Sequence, residues 1–513
     1  MRRLRLTAAL GLALAAGLVA WAAHPPVAWG QLSLLVVPLL LAATALLDDG
    51  RRGWWGALPG VVAGLAAFLP MISWLIAPAG YLAWSLLAAV QAVWYGLATL
   101  LLRPVVRRAW LVVATPVVWT GMEVWRGRVP LSGFSWGDLA YAHADGSWLL
   151  PVARVVGATG LTFTLVLLGA LVFRAAWVLW TAADRPGWAA GIPAGAALVL
   201  ALAAALLPPA PPEPTGELDV LAVQGNDFES FAGSGREEDR AIAAAHVELT
   251  RRSVEELGQP DLTIWPESSI DRDPFRPSGE DLRPFVEEAV ALLEGDLLFG
   301  AVLDGPEPSR QFVNSVLLVD DDLTVVDRYE KLRYVPFGEY VPWRSVLEPL
   351  FPALQQVPRD GVPGEGHTAV RGADTPVGVV ICFETLFPEL VRGNVLAGDA
   401  GLIVAVTNDA SFGRSPESDQ HVAQSRLRAV ENGRWVIHSA ISGGSALIDP
   451  YGRVVEETAL FERDTIRRRV PTISGRTPYL AAGDIVGGVS RWAFVALVLL
   501  FVARWARRRR DGR

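Results

Sequence analysis

The sequence contains very few of the residues that form cross-links, metal centres and covalent intermediates. Its one cysteine among 513 residues excludes a disulfide within the chain. The six histidines lack metal-binding spacings such as HxxxH, and no glycine-rich phosphate loop is present, so we predict no metal and no cofactor. Only one of the 45 basic residues, Lys331, is a lysine. Because an amine can be tuned to lose its proton and a guanidinium in effect cannot, this lysine indicates a chemical role.

Charged residues are also scarce, at 19%, whereas hydrophobic residues make up 52%. This balance is too apolar for an ordinary soluble chain and predicts membrane segments. The net charge of −8 is modest, and the arginines form no stripe with interleaved aromatic residues. We therefore predict no nucleic-acid partner.

The N-terminal two-fifths of the chain consists of apolar runs, each near the roughly 20 residues that span a bilayer. A proline-rich boundary at 208–214 ends this region, and one more run lies near the C-terminus. We predict about eight spans, at 4–23, 32–48, 55–76, 80–102, 108–126, 159–181, 188–208 and 489–506. The predicted domains are a transmembrane domain at 1–210, a catalytic domain at 215–475, and a C-terminal span with a basic tail at 486–513.

Arginine placement predicts the orientation of these spans, because basic loops face the cytoplasm. Arginines lie before the first span, between the second and third, fourth and fifth, and sixth and seventh, and in the tail. The alternate loops at 23–31 and 77–80 have none, although the fifth-to-sixth connection holds Arg126, Arg128 and Arg154. We predict that both termini are cytoplasmic and that 215–475 lies on the extracytoplasmic side of the cell membrane.

Between 215 and 475, short apolar strands alternate with amphipathic helices. We predict strands at 218–224, 262–265, 297–302, 315–319, 324–329, 377–382 and 402–407. The predicted helices are 236–257, 281–293, 388–397 and 419–432. This alternation predicts an α/β layered domain, and about 260 residues suffice to bury a large core.

Three polar residues follow predicted strands of this domain. Pro266 is expected to break the strand at 262–265 and to leave Glu267 at its end. Lys331 ends a hairpin strand, and Cys382 ends a valine-rich strand. Ligands of open α/β folds bind beyond the carboxyl ends of strands, so these side chains lie where a site is expected.

The three residue types suit acyl transfer. A thiol has a reference pKa of about 8.5, so a neighbouring carboxylate such as Glu267 is needed as its general base. Thiolate attack on a carbonyl creates an oxyanion, which Lys331 and the backbone N–H of Phe383 could stabilise. A thioester results, and a second nucleophile then takes the acyl group.

Each segment alone has a simpler interpretation. A cysteine after a valine-rich strand is more often an inert core residue, a Trp-Pro-Glu sequence fits a surface turn, and a lone Tyr-x-Lys is nearly uninformative. Their joint occurrence in this order favours the catalytic interpretation.

Together these residues resemble the nitrilase superfamily, which has a Glu-Lys-Cys triad on an α-β-β-α sandwich. The membrane runs on both sides narrow the resemblance to the apolipoprotein N-acyltransferase family. The motifs that carry it lie at 125–127, 133–136, 223–226, 335–342, 407–410, 412–413, 420–421 and 426–431. The sequence departs from the family at three places. Phe383 and Ser411 stand where many members have a tyrosine and a tryptophan, respectively. The stretch after Asn226 lacks a tryptophan that many members carry, and its nearest aromatic residues are Phe228 and Phe231.

The resemblance implies roles for six residues: Cys382 as the acyl-carrying nucleophile, Glu267 as base, Lys331 as oxyanion partner, Glu339 as support for the lysine and thiol, and Glu384 and Phe383 beside the cysteine. It also implies a phospholipid acyl donor and, as acceptor, the N-terminal amine of a diacylated apolipoprotein. We further expect a monomer. The apolar segment at 337–354 supports a lipid substrate independently, although it could also be a lid over the core.

Two other functions fit the residues. A membrane-tethered amidohydrolase would use the same triad with water as the second nucleophile. A scaffold without catalysis would hold a partner glycosyltransferase at the membrane, and the intact triad argues against it.

Overall fold

The computed structural model describes residues 2–48, 54–181, 188–206, 213–227, 235–372 and 375–511. It divides into two compact units: Met1–Pro209 with Ala482–Arg513, and Ala210–Ala481. The orientation arginines Arg51, Arg52 and Arg185, the aromatic residues Phe228 and Phe231, and most of the proline-rich boundary lie outside the described residues.

The first unit is helical. Its α-helices are α1 (Arg2–Ala22), α2 (Ser33–Leu47), α3 (Leu58–Met71), α4 (Ile76–Leu102), α5 (Leu111–Arg126), α6 (Pro151–Thr181), α7 (Trp188–Ala205) and, after the second unit, α14 (Ile485–Asp511). Short 3₁₀ turns lie at Gly30–Leu32, Trp54–Ala57, Ser73–Leu75, Arg103–Val105 and Leu139–His143.

Each of the eight predicted apolar runs forms one of these helices. Among the described residues, six helical segments are long and apolar enough to cross a membrane. Helix α5 is not among them, since it has 16 residues and carries Glu123 and Arg126. The apolar part of α7 is also shorter, at Gly191–Ala205. The first unit is therefore a helical bundle with about six apolar candidate spans, five before the second unit and one after it, as apolar composition dictates.

Arg126 belongs to the motif at 125–127, and its hydrogen bonds hold the chain around that motif. Its side chain is buried and donates to Gln91 Oε1 at 3.0 Å and to the carbonyl oxygens of Phe134 and Trp136 at 3.1 and 2.9 Å. Because a buried guanidinium needs acceptors for its donors, it fixes the irregular chain that follows α5.

The second unit contains two sheets and their covering helices. The strands are β1 (Pro214–Gln224), β2 (Leu262–Ile270), β3 (Asp296–Asp304), β4 (Gln311–Val319), β5 (Val325–Glu330), β6 (Asp360–Gly361), β7 (Val370–Gly372), β8 (Thr375–Ile381), β9 (Leu402–Thr407), β10 (Val436–Ala440), β11 (Ala446–Ile448), β12 (Val454–Glu457) and β13 (Asp464–Ile473). The helices are α8 (Gly235–Leu257), α9 (Arg283–Leu292), α10 (Arg344–Leu347), α11 (Pro388–Gly398), α12 (Glu417–Asn432) and α13 (Pro478–Ala482).

The first sheet has the order β13-β1-β2-β3-β4-β5, with β6 paired to β4. The second has the order β12-β11-β10-β9-β8-β7. Strands β1, β2 and β3 run parallel, as do β8, β9 and β10. Strand β5 is antiparallel to β4, which is antiparallel to β3, so β3 and β5 point the same way. The carboxyl ends of β2 and β5 therefore share one edge of their sheet.

Side-chain alternation along the strands builds the two layers of core. Val220 and Ala222 of β1 face the second sheet and pack in one cluster with Val379 and Val404. The intervening residues of β1 pack with the buried faces of α8 and α9 on the outer side. Helices α11 and α12 contact the second sheet at β8 and β10. The result is the α-β-β-α sandwich that the sequence predicts.

The seven predicted strands and four predicted helices of this unit are all present, with ends shifted by a few residues. The prediction that Pro266 breaks its strand is wrong, because β2 continues to Ile270. Proline cannot donate to the ladder, so the register with β3 shifts between Trp265 and Ile270. Gly300 of β3 permits this bulge, since a Cβ there would lie 2.3 Å from the Pro266 carbonyl oxygen.

Candidate active site

The site lies near the ends of strands of the two sheets. Glu267 lies in the irregular part of β2, Lys331 comes directly after β5, and Cys382 comes directly after β8. The Glu267 and Lys331 side chains are buried, whereas that of Cys382 is partly accessible. The sandwich thus brings together three residues that are distant in sequence.

Lys331 joins two carboxylates. Its Nζ lies 3.0 Å from Glu267 Oε1 and 2.7 Å from Glu339 Oε1. Glu339 is held in turn, because its Oε2 accepts the Val335 backbone N–H at 2.7 Å. Burying a lone ammonium would be very costly, and the two carboxylates offset that cost. The predicted proximity of Glu339 and Lys331 is therefore a direct ion pair in the structure.

The buried charges beside one another shift the pKa values of Lys331 and Glu339. Burial lowers the pKa of Lys331, but the charges of Glu267 and Glu339 outweigh it and raise that pKa well above its usual value. Burial raises the pKa of Glu339, and the negative charge of Glu267 raises it further, while Lys331 lowers it. The lysine is accordingly a fixed cation, suited to stabilise an oxyanion.

Glu267 is oriented by two donors besides the lysine. Asn314 Nδ2 donates to its Oε1 at 2.6 Å, and the Asn408 backbone N–H donates to its Oε2 at 2.9 Å. Asn314 lies inside β4 and Asn408 just after β9, so both sheets hold the carboxylate. A base positioned in this way needs little reorganisation when it accepts a proton.

Cys382 lies at a strained turn. Its φ angle is +50°, a left-handed conformation that residues with a Cβ rarely adopt. Burial raises the pKa of the Cys382 thiol well above its usual range; the charge of Glu267 raises it further, and that of Lys331 opposes this. A thiol whose pKa is raised in this way favours its protonated form, so attack by its sulfur would require a base.

Glu384, predicted beside the cysteine, is a fully buried carboxylate. Burial raises its pKa to about 7. It accepts hydrogen bonds from four donors, which are Tyr329 Oη at 2.8 Å and the backbone N–H groups of Leu332 at 2.6 Å, Arg333 at 3.0 Å and Ile381 at 2.9 Å. Glu384 thereby ties the segment that carries the lysine to the strand that carries the cysteine.

Phe383 lies next to Cys382 with its side chain buried. Its ring packs edge to face against Phe387, with ring centroids 5.1 Å apart. This contact fixes the side chain at the turn, and the role of the Phe383 backbone N–H as an oxyanion donor stays a prediction.

A second buried group of polar side chains lies near the backbone of Cys382. Asp409, His421 and His438 each offer a potential metal ligand, and these atoms lie within 4.8 Å of one another. In the structure Asp409 is engaged directly, since its Oδ1 lies 2.7 Å from Thr407 Oγ1 and 3.3 Å from His421 Nδ1. The absence of a metal from the chemistry stays a prediction from the sequence.

Sequence reasoning missed several residues of the site. Asn314 had one available signal, because it forms a polar pair with Ser315 inside an apolar strand. Tyr329 was noted only as the residue that precedes the lysine segment, and His421 only as part of a motif. Their partners are distant in sequence, so spacing alone could not reveal the contacts.

Comparison with known proteins gives two family matches. Residues 233–473 match the carbon-nitrogen hydrolase model, and residues 16–171 match the model described as the apolipoprotein N-acyltransferase N-terminal domain. Among solved structures, a variant of the nitrilase-superfamily amidase from Nesterenkonia sp. AN1 is 17% identical, with a TM-score of 0.38, covering 53% of this chain and 95% of that chain.

Full-length relatives are similar over nearly the whole chain. An apolipoprotein N-acyltransferase of Mycolicibacterium smegmatis is 31% identical, covering 98% of this chain and 88% of the relative. One of Geobacter metallireducens is 30% identical, covering 94% of this chain and 92% of the relative. Another, of Rhizobium etli, is 30% identical, covering 90% of each chain.

Proposed function

Because this chain belongs to the apolipoprotein N-acyltransferase family, we propose that it moves a fatty acyl chain from a phospholipid to the N-terminal amine of a diacylglyceryl-cysteine in apolipoproteins. The acyl group is carried on Cys382 as a thioester. The observation that carries this proposal is a partly accessible thiol directly after β8, together with a buried chain of ion pairs that joins Glu267, Lys331 and Glu339.

In the first half-reaction, Glu267 takes the proton of the Cys382 thiol. The sulfur attacks the phospholipid ester carbonyl, and the negative charge that forms on the carbonyl oxygen is stabilised by Lys331 and the Phe383 backbone N–H. The ester C–O bond then breaks. The glycerol oxygen takes the proton from Glu267, which leaves a thioester and a lysophospholipid.

In the second half-reaction, the α-amine of the acceptor attacks the thioester carbonyl. Glu267 accepts a proton from the nitrogen, the C–S bond breaks, and the departing sulfur takes that proton back. The products are an N-acylated lipoprotein and the original thiol. One carboxylate, held by Asn314 and Asn408, thus serves both halves.

The supporting residues act by position. Glu339 holds Lys331 at 2.7 Å, so that the ammonium stays directed at the site. Glu384 couples the backbone after the lysine to the backbone before the cysteine. These contacts maintain the distance between the cation and the sulfur, which an oxyanion site requires.

An apolar arm at 337–354 supports a lipid donor. Trp343, Leu350 and Val346 are 69%, 65% and 60% exposed, and Phe337 and Phe351 are 43% and 50% exposed. So many exposed apolar side chains in one short segment favour contact with lipid, because water would penalise them. The arm begins a few residues after Lys331, beside the site itself.

The protein is a membrane protein, and we propose that 215–475 faces the extracytoplasmic side with the chain acting as a monomer. The arginine distribution supports this orientation. An acceptor that is already lipid-anchored at the outer face would meet a site on that side.

We expect the purified protein in detergent to acquire acyl label on Cys382 from a labelled phospholipid. A chase with a diacylated lipopeptide should move that label to the peptide amine, because the amine competes with water for the thioester. Mass spectrometry of the protein and of the peptide measures both steps. A peptide with an acetylated N-terminus is the matched control, and it should take no label.

The same chase separates the alternative functions. Label that is lost only to water would indicate an amidohydrolase, and no label at any time would indicate a scaffold without catalysis. Either outcome would contradict the proposed transfer.

The proposed orientation can be tested because the chain has only one cysteine. In a Cys382→Ala background, we expect Asp321→Cys, in an exposed turn of the second unit, to react with a membrane-impermeant maleimide in intact cells. Gly512→Cys, in the basic tail, should react only after the cells are permeabilised. The reverse pattern would show that the predicted orientation is wrong.

A further inference from the structure

His421 contacts the backbone of the nucleophile. It lies on α12, is 1% exposed, and its Nε2 lies 3.1 Å from the Cys382 carbonyl oxygen and 2.8 Å from Thr385 Oγ1. Thr385 Oγ1 donates to the same Cys382 carbonyl at 3.1 Å. Two side chains therefore converge on the carbonyl of the residue with the strained φ angle.

The partners of His421 determine where its protons lie. A carbonyl oxygen can only accept, so Nε2 must carry a hydrogen to bond Cys382. On the other side of the ring, Nδ1 lies 3.3 Å from Asp409 Oδ1 and 3.8 Å from Glu417 Oε1. The Asp409 carboxylate therefore lies against Nδ1, while Nε2 faces Cys382.

The groups around the ring differ in their pKa shifts. Although burial raises the pKa of Asp409, its interactions with His421 lower it below its usual value. Burial and the charge of Asp409 raise the pKa of Glu417 well above its usual value. The ring of His438 packs edge to face on His421, and burial lowers the pKa of His438 to about 3.

We propose that His421 is a positioning residue for the nucleophile, donating from Nε2 to the Cys382 carbonyl and thereby holding the left-handed turn that presents the thiol. This inference rests on the proposed function of Cys382. Asp409 contacts the ring at Nδ1. Glu384 holds the other side of the turn by accepting the Ile381 N–H. A left-handed conformation is unfavourable for a residue with a Cβ, so the surrounding structure must maintain it.

Two substitutions separate the Nε2 contact from the rest of the ring. In His421→Gln the terminal amide can reach the position of Nε2 and donate to the Cys382 carbonyl, whereas His421→Asn is too short to do so. We expect His421→Asn to lower kcat for acylation of Cys382 about 10- to 100-fold, because small displacements of a nucleophile have effects of that size. His421→Gln should stay within about fivefold of the unmodified protein, since the hydrogen bond to the Cys382 carbonyl persists. KM for the phospholipid should change little in both.

The measurement is single-turnover acylation of the full-length protein with labelled phospholipid in detergent, alongside thermal unfolding. His246→Asn is the matched control, because His246 is equally buried but bonds Ile242 O and the Gly225 N–H. It should lower the unfolding temperature and keep kcat. Normal kcat in His421→Asn, or equal losses in His421→Asn and His421→Gln, would overturn the inference.

If His421→Asn does not fold, Thr385→Val tests the same contact. It removes the hydroxyl that bridges His421 and the Cys382 carbonyl at nearly constant volume, and we expect kcat to fall about three- to tenfold. An unchanged kcat would count against the inference. Failure of the unmodified protein to acylate Cys382 would instead contradict the proposed function itself.

Discussion

Replacing Cys382 by Ala is expected to abolish acylation of the protein and to lower transfer to a diacylated lipopeptide by about 10 000-fold or more. No second cysteine exists to take over the acyl group. The remaining Glu267 and Lys331 could polarise an ester, but the two-step route through a thioester would be lost. Acyl label on the protein and N-acylated peptide, both measured by mass spectrometry, are the two readouts.

This loss should occur without unfolding. Cys382 is partly accessible and small, so the substitution removes little packing. We expect Cys382→Ala to have a thermal midpoint close to that of the unmodified protein. Cys382→Gly is the matched control, because glycine adopts a φ of +50° without a Cβ penalty and should unfold at no lower temperature than Cys382→Ala. Acyl label persisting in either variant would show that another residue is the nucleophile.

The sequence predicted the site through local pattern. Lys331 and Cys382 each follow an apolar strand, and Glu267 follows the apolar first half of β2. Recognising such a strand needs only the alternation or continuity of nearby side chains. The sandwich then places strand ends together for topological reasons. This is why the triad could be predicted before any contact was known.

The contacts that hold the triad were not predictable in the same way. Glu384 receives its four hydrogen bonds from two strand ends, and Asn314 reaches Glu267 from a neighbouring strand. These partners are fixed by sheet order and register, which spacing along one chain does not encode. The bulge at Pro266 was also not predictable from spacing along the chain, since it depends on Gly300 of the adjacent strand.

Strand β13 was also missed, for a compositional reason. β13 is an edge strand with three consecutive arginines, so its apolar alternation is obscured. One of them, Arg467, pairs with Asp219 of β1 at 2.9 Å. Charged edge strands are common because they discourage pairing between molecules. The arginines that protect this edge from pairing therefore obscure the apolar alternation by which a strand is recognised in the sequence.

Replacing Lys331 by Met is expected to affect both chemistry and stability. Loss of the cation should slow acylation of Cys382 about 100- to 1000-fold, the range for removing one oxyanion donor. It also leaves Glu267 and Glu339 buried without their shared partner, which should lower the free energy of unfolding by about 3–5 kcal/mol. Single-turnover acylation and thermal unfolding in detergent measure the two effects separately.

The stability loss should depend on pH with a defined sign. Burial already raises the pKa of Glu339 and Lys331 opposes this, so removing the lysine raises that pKa further. A carboxyl whose folded pKa exceeds its unfolded value of about 4.3 stabilises the fold less as pH rises between the two. The deficit of Lys331→Met relative to the unmodified protein should therefore grow as the pH rises above the unfolded-state value of about 4.3.

The double variant Lys331→Met with Glu339→Gln tests whether these two effects have different origins. Glutamine can still accept the Val335 N–H that Glu339 now binds, and it cannot become a buried charge. We expect it to recover part of the unfolding temperature and flatten the pH dependence, yet to leave acylation as slow as in Lys331→Met. Recovery of acylation together with stability would mean that Lys331 maintains the fold of the site and contributes nothing to the oxyanion.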